Sequence, residues 1–340
     1  MNKRMDIHAV WMMVLVLLLA GCSPPATRTN SPPPDTATPA VEPLPPTQTV
    51  VRDTATPVPA SPTPTAEACQ RIAFVRYPEA DIFSVCPDGS RLEQLTDDLA
   101  LDGHPAWSPD GTKIAFASER SGKNQIFLMN ADGSDPVQLT EAYSNSWPIW
   151  LPNGTEIAFK TNDGQGLWWW RVLDLENHQV RRLTEPSYDH FFQRMAWSPD
   201  GEKIAYMSLK EQQERNDGSS QIHVRGVDGS GDVALTHDIW ANVLPIWSPD
   251  GSQIAFLSER HGTYYMYALY VMSSDGRDVQ QLTDPIFSTD SIPSWSPDGE
   301  QIAIGDEMGV IWIVDLQEKT KRELLNLPED QSAVSPAWRP

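Results

Sequence analysis

Aromatic and acidic side chains stand together in five short stretches of this 340-residue chain. The first runs Asp97-Asp98-Leu99-Ala100-Leu101-Asp102-Gly103-His104, and the second holds Tyr143 and Trp147. The others are Tyr188-Asp189-His190-Phe191-Phe192, then Asp238-Ile239-Trp240, then Phe287 to Asp290. Connecting segments are otherwise mostly polar, so rings set among carboxylates favour a binding surface. Such a surface suits a protein or peptide segment, or a glycan stacked on the rings. Two carboxylates could also do acid–base work on a glycosidic bond, but no pair stands out by position. His104, His190 and His237 lie 3, 7 and 10 residues before the next repeated Trp, offsets too uneven for a shared metal. Asn130 to Asp135 and Asp228 to Asp232 hint at calcium loops, but both fall where a hairpin turn is needed and neither has the distal Glu. The chain carries no Gly-x-Ser-x-Gly, no His-Glu-x-x-His and no phosphate-binding Gly-rich loop. The expectation is a non-enzymatic binding protein without catalytic residues, cofactor or metal; the alternative is a carbohydrate-binding or carbohydrate-acting one.

The elements that must position these stretches announce themselves by repetition. Pro-Ala-Trp-Ser-Pro-Asp-Gly at 105–111 returns with small changes at 148–154, 195–201, 245–251 and 293–299, and a fragment closes the chain at 336–340. The repeated residues Trp107, Trp150, Trp197, Trp247, Trp295 and Trp338 are 43, 47, 50, 48 and 43 residues apart. A fixed phrase at such intervals means one supersecondary unit stacked on itself, near the length of a four-stranded blade. Each unit continues with an Ile-Ala-Phe-like run, a second apolar run, an Asp-Gly turn and Leu-Thr; the sixth has Leu324-Leu325 instead. Short β-branched and aromatic runs bounded by Gly, Pro and Asp are strands, and Ser-Pro-Asp-Gly suits a tight turn.

A first unit begins at Ile72 without a Trp strand before it, while a spare Trp strand surrounds Trp338. The count predicts an all-β, six-bladed propeller over 68–340, its C-terminal strand closing the first blade and removing the open sheet edges. In this repeat pattern the chain resembles the TolB-type, WD40-like β-propeller family. The resemblance implies the six-bladed ring, and implies an assembly platform rather than an enzyme. In propellers the loops from each Leu-Thr to the next Trp strand gather on one face. The candidate binding face is therefore Asp102, His104, Tyr143, Trp147, Tyr188, Asp189, His190, Phe191, Phe192, Asp238, Trp240, Phe287 and Asp290. The run Trp168-Trp169-Trp170 alternates along a strand and is expected to fill space between blades.

Residues 1–21 read as an export signal: Lys3 and Arg4, an apolar run from Ala9, then Leu19-Ala20-Gly21-Cys22. The last four resemble a bacterial lipobox, which implies cleavage before Cys22 and lipidation of that residue. Each buried CH₂ contributes ~0.8 kcal/mol, so several acyl chains hold firmly. Residues 22–67 are Pro- and Thr-rich, too poor in apolar groups to fold, and read as a disordered tether. Extended at ~3.1 Å per residue, they reach on the order of 140 Å at most. Cys69 and Cys86 flank the first hairpin; a register opposing Ile72 to Val85 places them almost opposite each other, within reach of a disulfide, which an exported protein can keep. A formal charge of −21 argues against nucleic acid or anionic lipid as direct partners. The expected whole is a monomer on a lipid anchor, at the outer face of the cytoplasmic membrane or at the outer membrane, with an envelope protein, a peptide segment or a glycan as its partner.

Overall fold

The computed structural model describes residues 69–184, 195–209, 219–260, 266–285, 292–306, 308–328 and 330–340. They form six four-stranded antiparallel sheets and no helix. Five sheets are consecutive in the chain. The remaining one pairs the C-terminal strand Ser332–Trp338 with Ile72–Tyr77, followed by Asp81–Val85 and Glu93–Gln94. We call this closing sheet blade 1; blades 2 to 6 follow in chain order. The repeated tryptophans of all six first strands and the residues before them line one cavity, so those strands are innermost. The first hairpin opposes Ile72 to Val85, and Cys69 and Cys86 beside it are disulfide-bonded with Cα atoms 5.6 Å apart.

The core lies between blades, and the Ile-Ala-Phe run explains how. Alternate side chains of a strand point to opposite faces. Ile72 and Phe74 of blade 1 therefore pack toward Ala303, Ile311 and Ile313 of blade 6, while Ala73 meets Ile114 and Phe116 of blade 2. The same relation sets Ala158 against Ile204 and Tyr206, Ala205 against Ile254 and Phe256, and Ala255 against Ile302 and Ile304. The alanine is a notch that receives the larger pair of the next blade. Trp170 is fully buried between blades 3 and 4, among Val172, Met195 and Ile204.

Three polar devices repeat with the strands. Each indole N–H of Trp107, Trp150, Trp247 and Trp295 donates to the carbonyl preceding the Trp of the previous blade: Ala337, Ala106, Ala196 and Ile246, at 3.1, 3.1, 3.2 and 3.4 Å. At the closure Ser294 stands in the acceptor position and its hydroxyl takes the Trp338 amide at 2.8 Å, leaving the buried Trp338 Nε1 without an acceptor. The threonine of each Leu-Thr accepts from a third-strand amide, as in Ile82 to Thr96, Ile126 to Thr140 and Ile222 to Thr236, all at 2.9 Å. In the Ser-Pro-Asp-Gly turns the serine hydroxyl donates to the aspartate at 2.5–2.6 Å. The outer turns dock on the neighbouring blade: at Gly133, with φ +86°, a Cβ would stand 2.5 Å from the Leu95 carbonyl oxygen.

A net hydrogen bond contributes about 1 kcal/mol, more when its loss leaves a buried acceptor bare. Trp107→Phe and Trp338→Phe remove similar buried area, but only the first removes a made bond. Urea unfolding is expected to show Trp107→Phe the more destabilising by about 1 kcal/mol. Equal losses would remove the indole bond from the account of ring closure.

Candidate functional site

The inner strands begin at the loops that hold the candidate residues and end at the Ser-Pro-Asp-Gly turns, so the two features occupy opposite ends of the ring. Two of the expected surface carboxylates are spoken for. Asp102 is 3% exposed, and its Oδ2 accepts from Arg120 Nη2 at 2.9 Å; Arg120 Nη2 also meets Asp98 Oδ2 at 2.9 Å. The guanidinium lies 5.1 and 4.9 Å over the Phe116 and Phe127 rings. Blade 5, across the ring, repeats the arrangement. Arg260 Nη2 meets Asp238 Oδ2 at 2.7 Å and lies 5.5 and 5.3 Å over Phe256 and Tyr270. The Asp238 Oδ1 accepts from the Trp240 amide and from Asn242 Nδ2 at 3.0 and 2.9 Å. Sequence reasoning missed both arginines, although Ser-Glu-Arg at 118–120 and 258–260 was a legible signal.

His104 and Trp147 stand three residues before Trp107 and Trp150 and both precede a proline. Both are left-handed, with φ +53° and +59°, and Leu244 and Ser335 share the geometry at the equivalent places. Each lies at a register shift in its inner strand. Such bulges re-aim side chains, and here the His104 and Trp147 rings come to 5.1 Å across the blade boundary. Lys160 Nζ sits 5.7 and 4.7 Å over the Trp147 and Trp168 rings, and burial lowers its ammonium to about 8. Tyr143, 47% exposed, meets Trp169 edge-on at 5.3 Å. Trp240 is half-buried. Tyr188, Asp189, His190, Phe191, Phe192, Phe287 and Asp290 lie outside the described residues.

Among the described residues, the most exposed apolar groups on this face were not among the candidates. Leu99 is fully exposed, Leu101 54% and Ile239 63%, each beside an aspartate. Carboxamides pin the loops of Tyr143 and Ile239: Gln125 Nε2 donates to the Tyr143 carbonyl and Gln221 Nε2 to the Asp238 carbonyl, both at 2.8 Å. Among the described residues no group of three His, Cys, Asp or Glu is placed to hold a metal ion. In the two aspartate-rich turns, Asp132 and Asp228 accept from the Ser134 and Ser230 hydroxyls at 2.7 and 2.6 Å.

One blade joint differs in charge from its equivalents. Between blades 2 and 3, Asn145 Nδ2 donates to Gln125 Oε1 at 2.9 Å; between blades 4 and 5, Asn242 Nδ2 faces Gln221 Oε1 at 3.4 Å. Between blades 1 and 2 the same places hold Asp81 and Asp102. Gln94 Nε2 and the Thr96 hydroxyl donate to Asp81 at 2.9 and 3.4 Å. Burial, with the neighbouring Asp102, raises Asp81 above the usual carboxylate range, and burial raises Asp102 despite Arg120.

A closed ring of six such sheets, filled by side chains at every blade boundary and bearing apolar loops at one end, is a β-propeller of the repeat-built class. The TolB beta propeller domain model matches residues 67–214 and 192–304. The chain belongs to that family. It is 42% identical over 52 residues to a protein TolB homolog of Chlorobium luteolum, covering 15% of this chain and 12% of that protein. It is 28% identical over 137 residues to an uncharacterized protein of Agrobacterium fabrum, covering 37% and 46%. The chain thus spans less than half the length of either curated relative. The crystal structure of TolB from Acinetobacter baumannii superposes with a TM-score of 0.68 at 24% identity, over 80% of this chain and 67% of that one.

The Asp81–Asp102 joint sets a pH dependence. Carboxyls raised in the folded state bind protons more readily there than in the unfolded chain, so their contribution is fully present near pH 4 and is lost as pH rises through the folded values. Asp81→Gln recreates the joint seen at Gln125. It is expected to raise the melting temperature at pH 7.5 by about 2 °C or more, with the gain vanishing toward pH 4. A gain independent of pH would refute the carboxyl pair as its source.

Proposed function

We propose that this chain is a non-catalytic binding propeller of the cell envelope, taking a protein or peptide segment at its loop face. The observation that carries the reading is the exposure of Leu99, Leu101, Tyr143 and Ile239 among acidic neighbours on one end of a rigid ring. Apolar groups clustered on loops over a packed scaffold favour protein contact. Two carboxylates at that end, Asp102 and Asp238, are engaged by Arg120 and Arg260, which favours binding over acid–base catalysis. Membership of the TolB propeller family supports the scaffold role.

The ring is presented on a tether. Residues 1–21 act as the export signal, Cys22 carries the lipid, and residues 22–67 hold the propeller away from the membrane surface, at the outer face of the cytoplasmic membrane or at the outer membrane. An acidic surface keeps a protein so placed soluble and selects partners of opposite charge.

Two measurements test these statements separately. Cys22→Ser is expected to move the protein from the membrane pellet to the soluble fraction; unchanged detergent partitioning would refute lipidation. Replacing Leu99, Leu101, Tyr143 and Ile239 together by serine is expected to strip envelope proteins from a pull-down while leaving the melting curve in place. An identical partner set would remove the loop face from the proposal.

A further inference from the structure

At the turn end of the ring the repeat builds a second feature. The segments around the repeated tryptophan of all six blades, Pro-x-Trp in five and Met195-Ala196-Trp197 in blade 4, converge on a cavity of about 560 Å³ lined mainly by proline, tryptophan, alanine and isoleucine, with no charged side chain in its wall. Its polar groups are largely committed inside the fold. The indoles of Trp107, Trp150, Trp247 and Trp295 donate to carbonyls of neighbouring blades. The Ser248 and Ser294 hydroxyls are engaged with Asp250 and the Trp338 amide. A ligand that needs many hydrogen bonds, such as a sugar, meets mainly ring faces and aliphatic carbon there.

Four blades place a carboxylate next to that wall. Asp110, Asp200, Asp250 and Asp298 each follow a wall proline (Pro109, Pro199, Pro249 and Pro297) and are exposed. Hydrogen bonds from the serine hydroxyl of each turn, helped by turn amides, hold Asp110, Asp200 and Asp250 below the usual carboxylate range, so they are ionised at neutral pH. The wall is not equally covered. Trp107, Trp295 and Trp338 are buried, whereas Trp150, Trp197 and Trp247, on three consecutive blades, are half-exposed.

The molecule contains one example of what such a surface accepts. In blade 1 the repeat reads Trp338-Arg339-Pro340, with arginine where the other complete repeats have Ser or Leu. The Arg339 guanidinium lies 5.3 Å over the Trp107 ring. A guanidinium over an indole face is a favourable cation–π pair, stronger as water is excluded. The residue over Trp107 comes from the preceding blade; at Trp197 that place is filled by Leu151, which packs on the indole, whereas at the half-exposed Trp247 it holds only the small Ser198, in a repeat whose neighbouring turns carry ionised Asp200 and Asp250. We infer that the turn-end funnel is a docking site for an extended, arginine-bearing segment of a protein partner, whose guanidinium stacks on Trp247 and is held by Asp200 and Asp250. Proline- and aromatic-lined grooves suit extended chains with little order to lose on binding, and the net charge of −21 draws cationic segments toward the ring.

This site is independent of the loop face, and its test keeps the two apart. The probe is a blocked peptide of alternating proline and arginine, titrated into the full chain in detergent and followed by calorimetry and tryptophan fluorescence. The control is the same peptide with citrulline, which keeps the shape of arginine but not its charge. The arginine peptide is expected to bind at least tenfold tighter than the citrulline peptide, and less tightly as salt rises. Asp200→Asn with Asp250→Asn should remove most of that difference; the asparagine oxygens can still accept from the Ser198 and Ser248 hydroxyls, so a single cooperative melting transition, lowered by no more than a few degrees, is expected to show that the ring stays folded. The loop-face serine variant should bind the peptide as the parent does. Equal binding of both peptides, full binding by the double asparagine variant, or loss of binding in the loop-face variant would each overturn the proposal.

Discussion

The structure depends on a bond that crosses blade boundaries: the indole N–H of one repeated tryptophan to the carbonyl before the corresponding tryptophan of the previous blade. Within a blade, strand pairing satisfies the backbone. Between blades the backbone makes isolated bonds, as from the Asp102 amide to the Ala80 carbonyl and from the Asn242 amide to the Ser220 carbonyl, both at 2.9 Å, and side chains fill and hold the rest of each boundary. The tryptophan does so at the axis with one directed bond, and the Ile-Ala-Phe run does so further out by shape, a large pair in a small notch. The two act at different radii, so together they fix both the spacing and the rotation of neighbouring sheets. The closure is where the repeat gives way. The Ser294 hydroxyl accepts an amide there, the strand Ser332–Trp338 pairs with Ile72–Tyr77 to join the ends of the ring, and the disulfide staples the first hairpin of the same blade.

The two ends of the inner strands have opposite origins. At the turn end the chemistry is the repeat itself, so ring faces and carboxylates recur around the axis. At the loop end each connection is individual, and its residues are steadied by devices that recur only in part. Arg120 and Arg260 brace blades 2 and 5, Gln125 and Gln221 on the third strands of blades 2 and 4 pin the loops leading to blades 3 and 5, and a left-handed residue precedes proline in four blades. Variation belongs at the loop end because no neighbouring blade depends on it, while any change in Pro-x-Trp is felt by the blade that bonds to it.

Much of this was legible in the residues. Six tryptophans at near-equal spacing defined the blades, and the orphan strand at Trp338 defined the closure. That the run Trp168-Trp169-Trp170 fills space between blades was legible from alternation; that Trp170 is the ring most deeply buried there was not. What was not legible was which loop side chains face water. Asp102 and His104 sit in a stretch that reads as one polar loop, yet the first is enclosed against Arg120 and the second packs on Trp147. Leu99, Leu101 and Ile239 were not singled out from their stretches and are the most open apolar groups there among the described residues. The difference lies in contacts between residues from separate blades, which no local pattern carries.

Sequence by itself determined the architecture, because a module that cannot bury both faces alone must stack, and six modules with a shared strand must close. Only the tertiary structure decided the chemistry of the two ends. Whether a carboxylate is a free surface charge or an arginine's partner depends on the side chain brought to it from another strand, and whether an indole is a core residue or an open ring face depends on how far the next blade covers it. Those are properties of packing across the ring, so they arise only when the ring is assembled.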